Sequence, residues 1–555
     1  MFSRLLMVLL LSAPLMLHAA ATLIHNVNGY TMTGPAGAKA QLLRFDALVF
    51  DAGKVIFVGR ESEALERFGS ADRIDGKGKT LIPGLIDAHG HILGLGQGLN
   101  SVDLRTARSE QEAVERVAEF ARQNPNLRWI VGRGWNQELW PERQFPSKQS
   151  LDALKLNKPI VLSRVDGHAA WVNSKALEVG QINAKTLDPD GGQIIRDNSG
   201  QPTGVLIDTA EYLVTQHQPT ASELEINYAL DKAFAHLLAL GITSVHDAGI
   251  GSNLYQIYQH RAKRQQLPLR IYAMLDGSSA NLGQWLKNGY ILSEDDHLAI
   301  RSVKIYSDGA LGSRGAALLE PYSDKGDHRG LLVTAPEKLD SLVKQVLAAN
   351  FQANIHAIGD RGNRLVMDAI ANAYEQKLGL EQRHRIEHAQ VINLDDIKRL
   401  NSLNLIASMQ PTHATSDMNM AEDRIGKQRL QGAYAWRTLL DQGTIIASGS
   451  DFPVELANPF HGLHAAVTRQ NHQNQPAKGW IPEQAMTLTE AFRSFTLDAA
   501  YAAHQEQQLG SLEVGKWADF IIIDRDLFTT QPQDLWQIKV LQTWVAGAKR
   551  YEKPL

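Results

Sequence analysis

The chain has 555 residues, 44% hydrophobic and 21% charged, with a formal net charge of −4. That is an ordinary globular composition, long enough to bury a large core unaided, and it lacks the basic excess of a protein that grips nucleic acid. It contains no cysteine, which removes disulfides, thiolate metal sites, thiol nucleophiles and iron–sulfur clusters together and leaves metal binding to the 19 histidines, to carboxylates or to a modified lysine.

Residues 1–21 read as a secretory signal peptide. Arg4 precedes an almost wholly apolar run, Leu5 to Leu17, and Ala19-Ala20-Ala21 offers a small-residue cleavage site. The alternative, a membrane anchor, needs a run of about 20 residues, and this one is shorter. The expectation is a secreted, periplasmic protein without a membrane attachment after cleavage.

Short β-like pieces follow at Ala21–Val27, Ala47–Phe50, Lys54–Val58 and Arg73–Asp75, and again at the far end at Ala518–Ile523 and Val540–Tyr551. Residues 22–80 and 508–555 are therefore expected to form one composite β-sandwich. Between them, residues 81–507 alternate apolar strands with amphipathic helices. The strands are predicted at Leu81–Ala88, Ile242–Asp247, Leu269–Leu275, Ile300–Tyr306, Gln352–His356, Arg385–His388, Leu405–Gln410 and Thr444–Ser448. Helices are predicted at Glu223–Leu240, Glu337–Asn350, Asp360–Glu375, Leu394–Leu400 and Tyr434–Gln442. Near-continuous apolar strands alternating with helices mean a parallel sheet covered by helices. Eight repeats predict an α/β fold of the (β/α)8 TIM-barrel type, with a doubly wound open sheet as the alternative.

The stretch from His91 to Gly241 is too long for one barrel connection. It holds its own predicted strands (Trp129–Arg133, Pro159–Val165) and helices (Glu110–Arg122, Asn173–Val179). It is read as an inserted lid subdomain, about residues 100–215, after barrel strand one.

The chemistry gathers at strand ends. Pro83-Gly84-Leu85-Ile86-Asp87-Ala88-His89-Gly90-His91 is an apolar strand ending in His-x-His, and residues two apart on a strand point to the same side. His356, His388 and Asp451 end or follow later strands, and Lys304 lies among apolar neighbours inside another. In a closed barrel these groups converge on one axis. Imidazole and carboxylate without thiolate suit zinc, with iron, manganese or nickel as alternatives.

This set resembles the amidohydrolase superfamily and, more narrowly, its family 3 group (YtcJ-like and N-substituted formamide deformylase-like metal-dependent hydrolases). The residues that carry the likeness are Leu81–His91, Gly132-Arg133-Gly134-Trp135, Asp166-Gly167-His168, Asn173-Ser174, Val303–Gly315, His356–Asp360, Arg385–Gln390, Ser448–Val454 and Gly515–Asp519. The resemblance implies that Lys304 is N-carboxylated and bridges two divalent metals, expected to be two Zn2+ per chain. His89, His91 and Asp451 would hold one, and His356 and His388 the other; a single metal with unmodified Lys304 is the alternative. It implies catalysis by metal-activated hydroxide, with Asp451 taking a proton and passing it to the leaving nitrogen. Glu387 and Asp360 are expected behind the ligand histidines, and His246 and Asp247 as supports. His168, Arg314, His413 and Trp135, with Trp140 and Trp171, are the candidate substrate contacts.

The function expected is hydrolysis of a small-molecule C–N bond in an amide, N-formyl or N-acyl amine. Hydrolysis of a cyclic amide, ester or carbamate on the same site is the alternative, and a non-catalytic binding protein on the same scaffold is a different class. The partner expected is a small-molecule substrate and no nucleic acid, with a homodimer left open.

Overall fold

The computed structural model describes residues 21–554, apart from 166–168, 190, 191, 220 and 313. The leader expected at 1–21 thus lies, but for Ala21, outside the described residues. Among the described residues no helix is long and apolar enough to cross a membrane.

Eight strands lie side by side in chain order: β1 (Leu85–Gly90), β2 (Ile242–Ile250), β3 (Arg270–Asp276), β4 (Leu298–Tyr306), β5 (Gln352–Ala357), β6 (Arg385–His388), β7 (Ile406–Met409) and β8 (Ile446–Ser448). Every neighbouring pair is parallel. The ring closes through the segment just past β8. The Asp451 N–H donates to His89 O (2.7 Å), and the His91 N–H donates to Phe452 O (2.8 Å). The fold is a TIM-type barrel with an added sandwich. Its covering helices carry an apolar stripe at helical spacing. On Glu223–Ala239 this is Ile226, Leu230, Ala233, Phe234 and Leu237, behind a Ser222/Glu225 capping box.

The strand predicted at Leu81–Ala88 is two strands. Thr80–Pro83 pairs with Phe520–Ile523 and Asn28–Thr33 in the sandwich, while Leu85–Gly90 enters the barrel. The break is at Gly84, where a Cβ would meet Thr243 Oγ1 at 2.2 Å. Only glycine passes between the two bodies there.

The two ends of the chain share a sheet. Its strands run Ala548–Glu552, Val540–Val545, Phe520–Ile523, Thr80–Pro83, Asn28–Thr33 and Gln41–Phe45. A second, four-stranded sheet holds Lys54–Gly59, Ala47–Asp51, Thr22–His25 and Asp72–Asp75. Ile24, Phe50, Phe520 and Trp544 pack in one buried cluster of this region. The strand predicted at Val540–Tyr551 is a hairpin, because Ala546 (φ 50°) and Gly547 (φ 70°) form a tight turn of positive φ.

The insertion builds its own six-stranded sheet from Val102–Asp103, Ile130–Trp135, Ile160–Arg164, Ala169–Val172, Pro202–Asp208 and Gly192–Arg196. Trp135, Trp140, Trp171, Val117 and Leu162 belong to its separate core. The chain enters it after the helix Ile92–Leu99, which follows His91, and leaves it into Glu223–Ala239. The insertion therefore departs from the C-terminal face of the barrel, the face on which barrel active sites sit.

Candidate metal centre

Four strands, the segment just past β8 and one short helix bring a compact set of side chains to that face. His89, near the end of β1, is fully buried. His91 sits just beyond β1, its ring 5.6 Å from that of His89. Asp451 Oδ1 lies 3.1 Å from His91 Nε2 and 3.5 Å from His89 Nε2. Lys304 Nζ, from β4, lies 3.1 Å from His89 Nε2. The His388 ring, at the end of β6, is 4.8 Å from His89 and 4.6 Å from His356. His413 comes from Pro411–Asp417, a helix that begins two residues after β7 with Pro411 in its first turn. Its Nε2 lies 3.7 Å from Asp451 Oδ2. Two groups have ligand atoms all within 4.8 Å of one another: His89, His91 and Asp451, and His388, His413 and Asp451.

The imidazoles are aimed by what they touch behind. His89 Nδ1 donates to Glu387 Oε2, and His388 Nδ1 donates to Gln410 Oε1 at 2.8 Å. Each ring therefore keeps its Nε2 lone pair for the centre, the usual setting of a metal-binding histidine. Glu387 is itself held by Arg385, whose Nε lies 2.8 Å from Oε1. Arg385 donates further to Ala88 O (2.6 Å), Ser408 Oγ (3.0 Å) and His246 Nδ1 (2.9 Å). Asp87 accepts from the Ser450 hydroxyl (2.6 Å) and the His89 N–H (3.1 Å) and so ties β1 to the Asp451 segment. His388 (φ 76°), Ala389 (φ 43°) and Asp451 (φ 58°) are held in the left-handed region. That costs energy for residues with a Cβ, and such strain clusters at functional sites.

Burial sets the charges. It pushes His89 down to about 4 and His356 to about 3, with the Lys304 cation adding to both. It brings Lys304 down to about 8. Burial alone would raise Glu387 and Asp451. Arg385, His89 and Lys304 instead hold Glu387 well below its usual range, and His91, His89 and His388 do the same for Asp451. His89 and His356 are thus disfavoured as cations beside a carboxylate, Asp451, that favours its ionised form. Asp451 Oδ1 and His413 Nε2 are buried and make no hydrogen bond of good geometry. Buried polar atoms without partners are rare. Hard oxygen and borderline nitrogen donors crowded this way fit a divalent cation.

Several expected residues fall elsewhere. His356 keeps its ring 4.6 Å from that of His388 but is in neither ligand group; its Nε2 faces Gly309 O (3.5 Å) and Asp308 Oδ1 (3.7 Å). His413, expected only as a substrate contact, stands with His388 and Asp451 instead. Trp135 is wholly buried in the insertion, its indole N–H donating to Leu162 O (2.7 Å). Trp140 and Trp171 likewise bond Ala107 O and Ser147 O. These tryptophans form a subdomain core and do not wall a substrate pocket. Arg314 is committed to Asp324 through two bonds (3.0 and 2.8 Å), and Arg424 shares that carboxylate. Asp360 accepts from Leu319 N–H and Arg361 N–H and holds a loop, not a histidine. Asp247 accepts from Ile92 N–H and Tyr258 OH, at the start of the helix after His91. His168 lies outside the described residues. Sequence reasoning gave no role to Arg385, Asp87 and Asp308, although they lie within the quoted motifs, nor to Gln410. Their signal was a polar residue inside or next to an apolar strand run, which no local pattern links to a distant histidine.

The chain matches the amidohydrolase family over residues 72–551. It is 32% identical to Protein LONG AFTER FAR-RED 3 of Arabidopsis thaliana over 94% of this chain and 93% of that one. It is 27% identical to the N-substituted formamide deformylase of Arthrobacter pascens, covering 91% of this chain and 95% of the relative. Among solved structures, an uncharacterized metal-dependent hydrolase from Pyrococcus horikoshii OT3 superposes with a TM-score of 0.77 at 26% identity, over 92% of this chain and 99% of that one.

Proposed function

The chain belongs to the amidohydrolase family, and from that premise we propose that it hydrolyses a C–N bond in a small amide, N-formyl or N-acyl amine. The observation that carries this reading is Asp451. It is an ionised carboxylate with Oδ1 among the His89 and His91 nitrogens and Oδ2 toward His413. Divalent metal held by His89, His91 and Asp451, and by His388, His413 and Asp451, with Lys304 and His356 beside these groups, would polarise the scissile carbonyl and lower the pKa of water.

Asp451 Oδ2 accepts a proton from the attacking water and passes it to the leaving nitrogen as the C–N bond breaks. The products are a carboxylic acid and an amine. Glu387 and Gln410 keep the protons of His89 and His388 on the Nδ1 side throughout. Lys304, brought down to about 8 by burial, has enough neutral amine near neutrality to add carbon dioxide. Its Nζ forms the new N–C bond and releases one proton. The leader-like residues 1–21 support action outside the cytoplasm, tested by N-terminal sequencing of exported protein.

The test of the activity combines metal analysis with a panel of N-formyl amines, N-acyl amines, cyclic amides and esters. Asp451→Asn is expected to keep metal and to lose about a thousandfold in kcat, the scale of general acid–base catalysis. Full activity in that variant removes Asp451 from the role. A metal-loaded protein that cleaves none of the C–N bonds removes the assignment itself.

A further inference from the structure

Asp451 handles the proton of the proposed reaction. The oxygen of the scissile carbonyl, which gains the charge, needs a donor of its own. Tyr306 is the last residue of β4, two positions after Lys304, so both side chains fall on the same side of the strand. Its ring lies 4.9 Å from Lys304 Nζ and 5.5 Å from the ring of His356. Its hydroxyl reaches the end of β2, where a Cβ on Gly249 would stand 3.5 Å from it and 3.8 Å from Lys304 Cγ. Contacts to Lys304, His356 and Gly249 thus set Tyr306 against the candidate centre, yet 37% of its surface stays open.

The ring accounts for only part of this. Covering a buried lysine and leaning on an imidazole are contacts that phenylalanine makes as well. The fold does not use the hydroxyl: among the described residues it makes no hydrogen bond. The bond from Thr334 Oγ1 goes to the backbone, Tyr306 O (2.7 Å). Partial burial and the charge of Asp451, followed by those of Asp276 and Glu387, favour the protonated phenol, so the hydroxyl is a donor.

Position decides what it donates to. In a closed ring of eight strands β4 stands opposite β8, so Tyr306 faces Asp451 across the mouth. A line of contacts joins them: Asp451 to His89 Nε2 (3.5 Å), His89 Nε2 to Lys304 Nζ (3.1 Å), Lys304 Nζ to the Tyr306 ring (4.9 Å). A carbonyl attacked beside Asp451 has its growing negative charge repelled by that carboxylate, toward the β4 wall.

We infer that the Tyr306 hydroxyl donates a hydrogen bond to the carbonyl oxygen of the substrate and holds it as the tetrahedral oxyanion forms. The inference rests on the hydrolase reading above. No proton is transferred: the O–H stays on Tyr306 while the oxygen gains charge on attack and loses it when the C–N bond breaks.

The experiment uses Tyr306→Phe in the full-length, metal-loaded protein, which keeps the ring over Lys304 and removes only the hydroxyl. With a C–N substrate that the parent cleaves, kcat is expected to fall about 100-fold, the low end for loss of one oxyanion donor, while KM and metal content hold. Calorimetric binding of methylphosphonate, a tetrahedral anion, beside acetate, a planar one, supplies a readout free of turnover. Methylphosphonate should bind about 10–100-fold more weakly in Tyr306→Phe, the scale of a hydrogen bond to a charged group, and acetate should change less. Parent-like kcat and methylphosphonate affinity in Tyr306→Phe overturn the inference. So does loss of metal in step with kcat, which makes Tyr306 a cover for Lys304 alone, and so does equal weakening of both anions. If the parent cleaves no C–N bond, the hydrolase reading fails by itself, and a selective loss of methylphosphonate still supports the Tyr306 donor. Cleavage of C–N bonds with a parent-like Tyr306→Phe sinks the donor and leaves that reading standing.

Discussion

Two buried arginine–carboxylate pairs, Arg270–Asp519 and Arg385–Glu387, use the same chemistry to different ends. Arg270, at the start of β3, is fully buried and grips Asp519 through Nε (2.6 Å) and Nη2 (3.0 Å). Its remaining nitrogen donates to Asp295 O, and Asp519 also accepts the Ala546 N–H. That pair closes on itself and welds barrel to sandwich. Arg385 is equally buried, but Glu387 gives it only one oxygen and spends the other on His89. His89 then turns its free nitrogen to the candidate centre. A closed polar group serves the fold, whereas an open one transmits orientation to a site.

The largest expected effect breaks this comparison directly. Arg270→Met and Arg385→Met each leave a buried carboxylate uncompensated, which costs about 3–5 kcal/mol. Urea unfolding of both should show losses of that size. Only Arg385→Met should also weaken metal binding, by about 10–100-fold, the usual result of losing a group behind a ligand. Chelator competition measures this on the folded variants. Equal loss of metal affinity in both would mean that Arg385 is one more structural pair.

The same distinction explains what the sequence disclosed. Alternation of apolar strands and amphipathic helices was enough for the barrel, and Asp360–Glu375 is a helix with the bounds its periodicity predicts. The edge strand Gln41–Phe45 was not legible, since it is largely exposed and lacks a clear inward face. At the site, His89, His91, Lys304, His388 and Asp451 announced themselves by ending or interrupting apolar runs. Open polar groups such as Arg385 and Gln410 did not, because Arg385 meets His246 and Ala88 across 139 and 297 residues of chain and Gln410 meets His388 across 22. Their meaning exists only once the ring of strands is closed. Trp135 was misleading for the converse reason: a conspicuous aromatic is as able to build a core as a pocket, and the indole hydrogen bond to Leu162 O fixes it in the core.

Two histidines four positions apart sharpen the contrast. His384 is closed: its Nδ1 accepts the Ala353 N–H (3.0 Å) and its Nε2 donates to Gly379 O (2.9 Å). Burial pushes it down to about 4. A depressed folded pKa favours the folded state above the ordinary value of 6.5, and that stability is lost as pH falls from 6.5 toward 4. At about pH 5 the loss is about 2 kcal/mol. Urea midpoints at about pH 7.5 and about pH 5 should fall further in the parent protein than in His384→Asn. Parallel losses would show that His384 carries none of the acid sensitivity.

His388 is the open counterpart, and among the described residues Gln410 is the one hydrogen-bond partner of its ring. Gln410→Leu keeps the side chain's bulk and removes the acceptor for Nδ1–H. The buried N–H must then find no partner or the ring must turn, and either outcome disturbs the nitrogen that faces Asp451. A loss of about tenfold in metal affinity is expected, with less effect on unfolding than the arginine variants because no buried charge is exposed to an apolar neighbour. Gln410→Glu restores an acceptor and should recover most of the affinity. If the leucine variant binds metal as the parent does, His388 takes its orientation from the strained backbone at φ 76° and not from its hydrogen bond. The open pair would then end at His89, and the second ligand group would owe its geometry to the turn after β6.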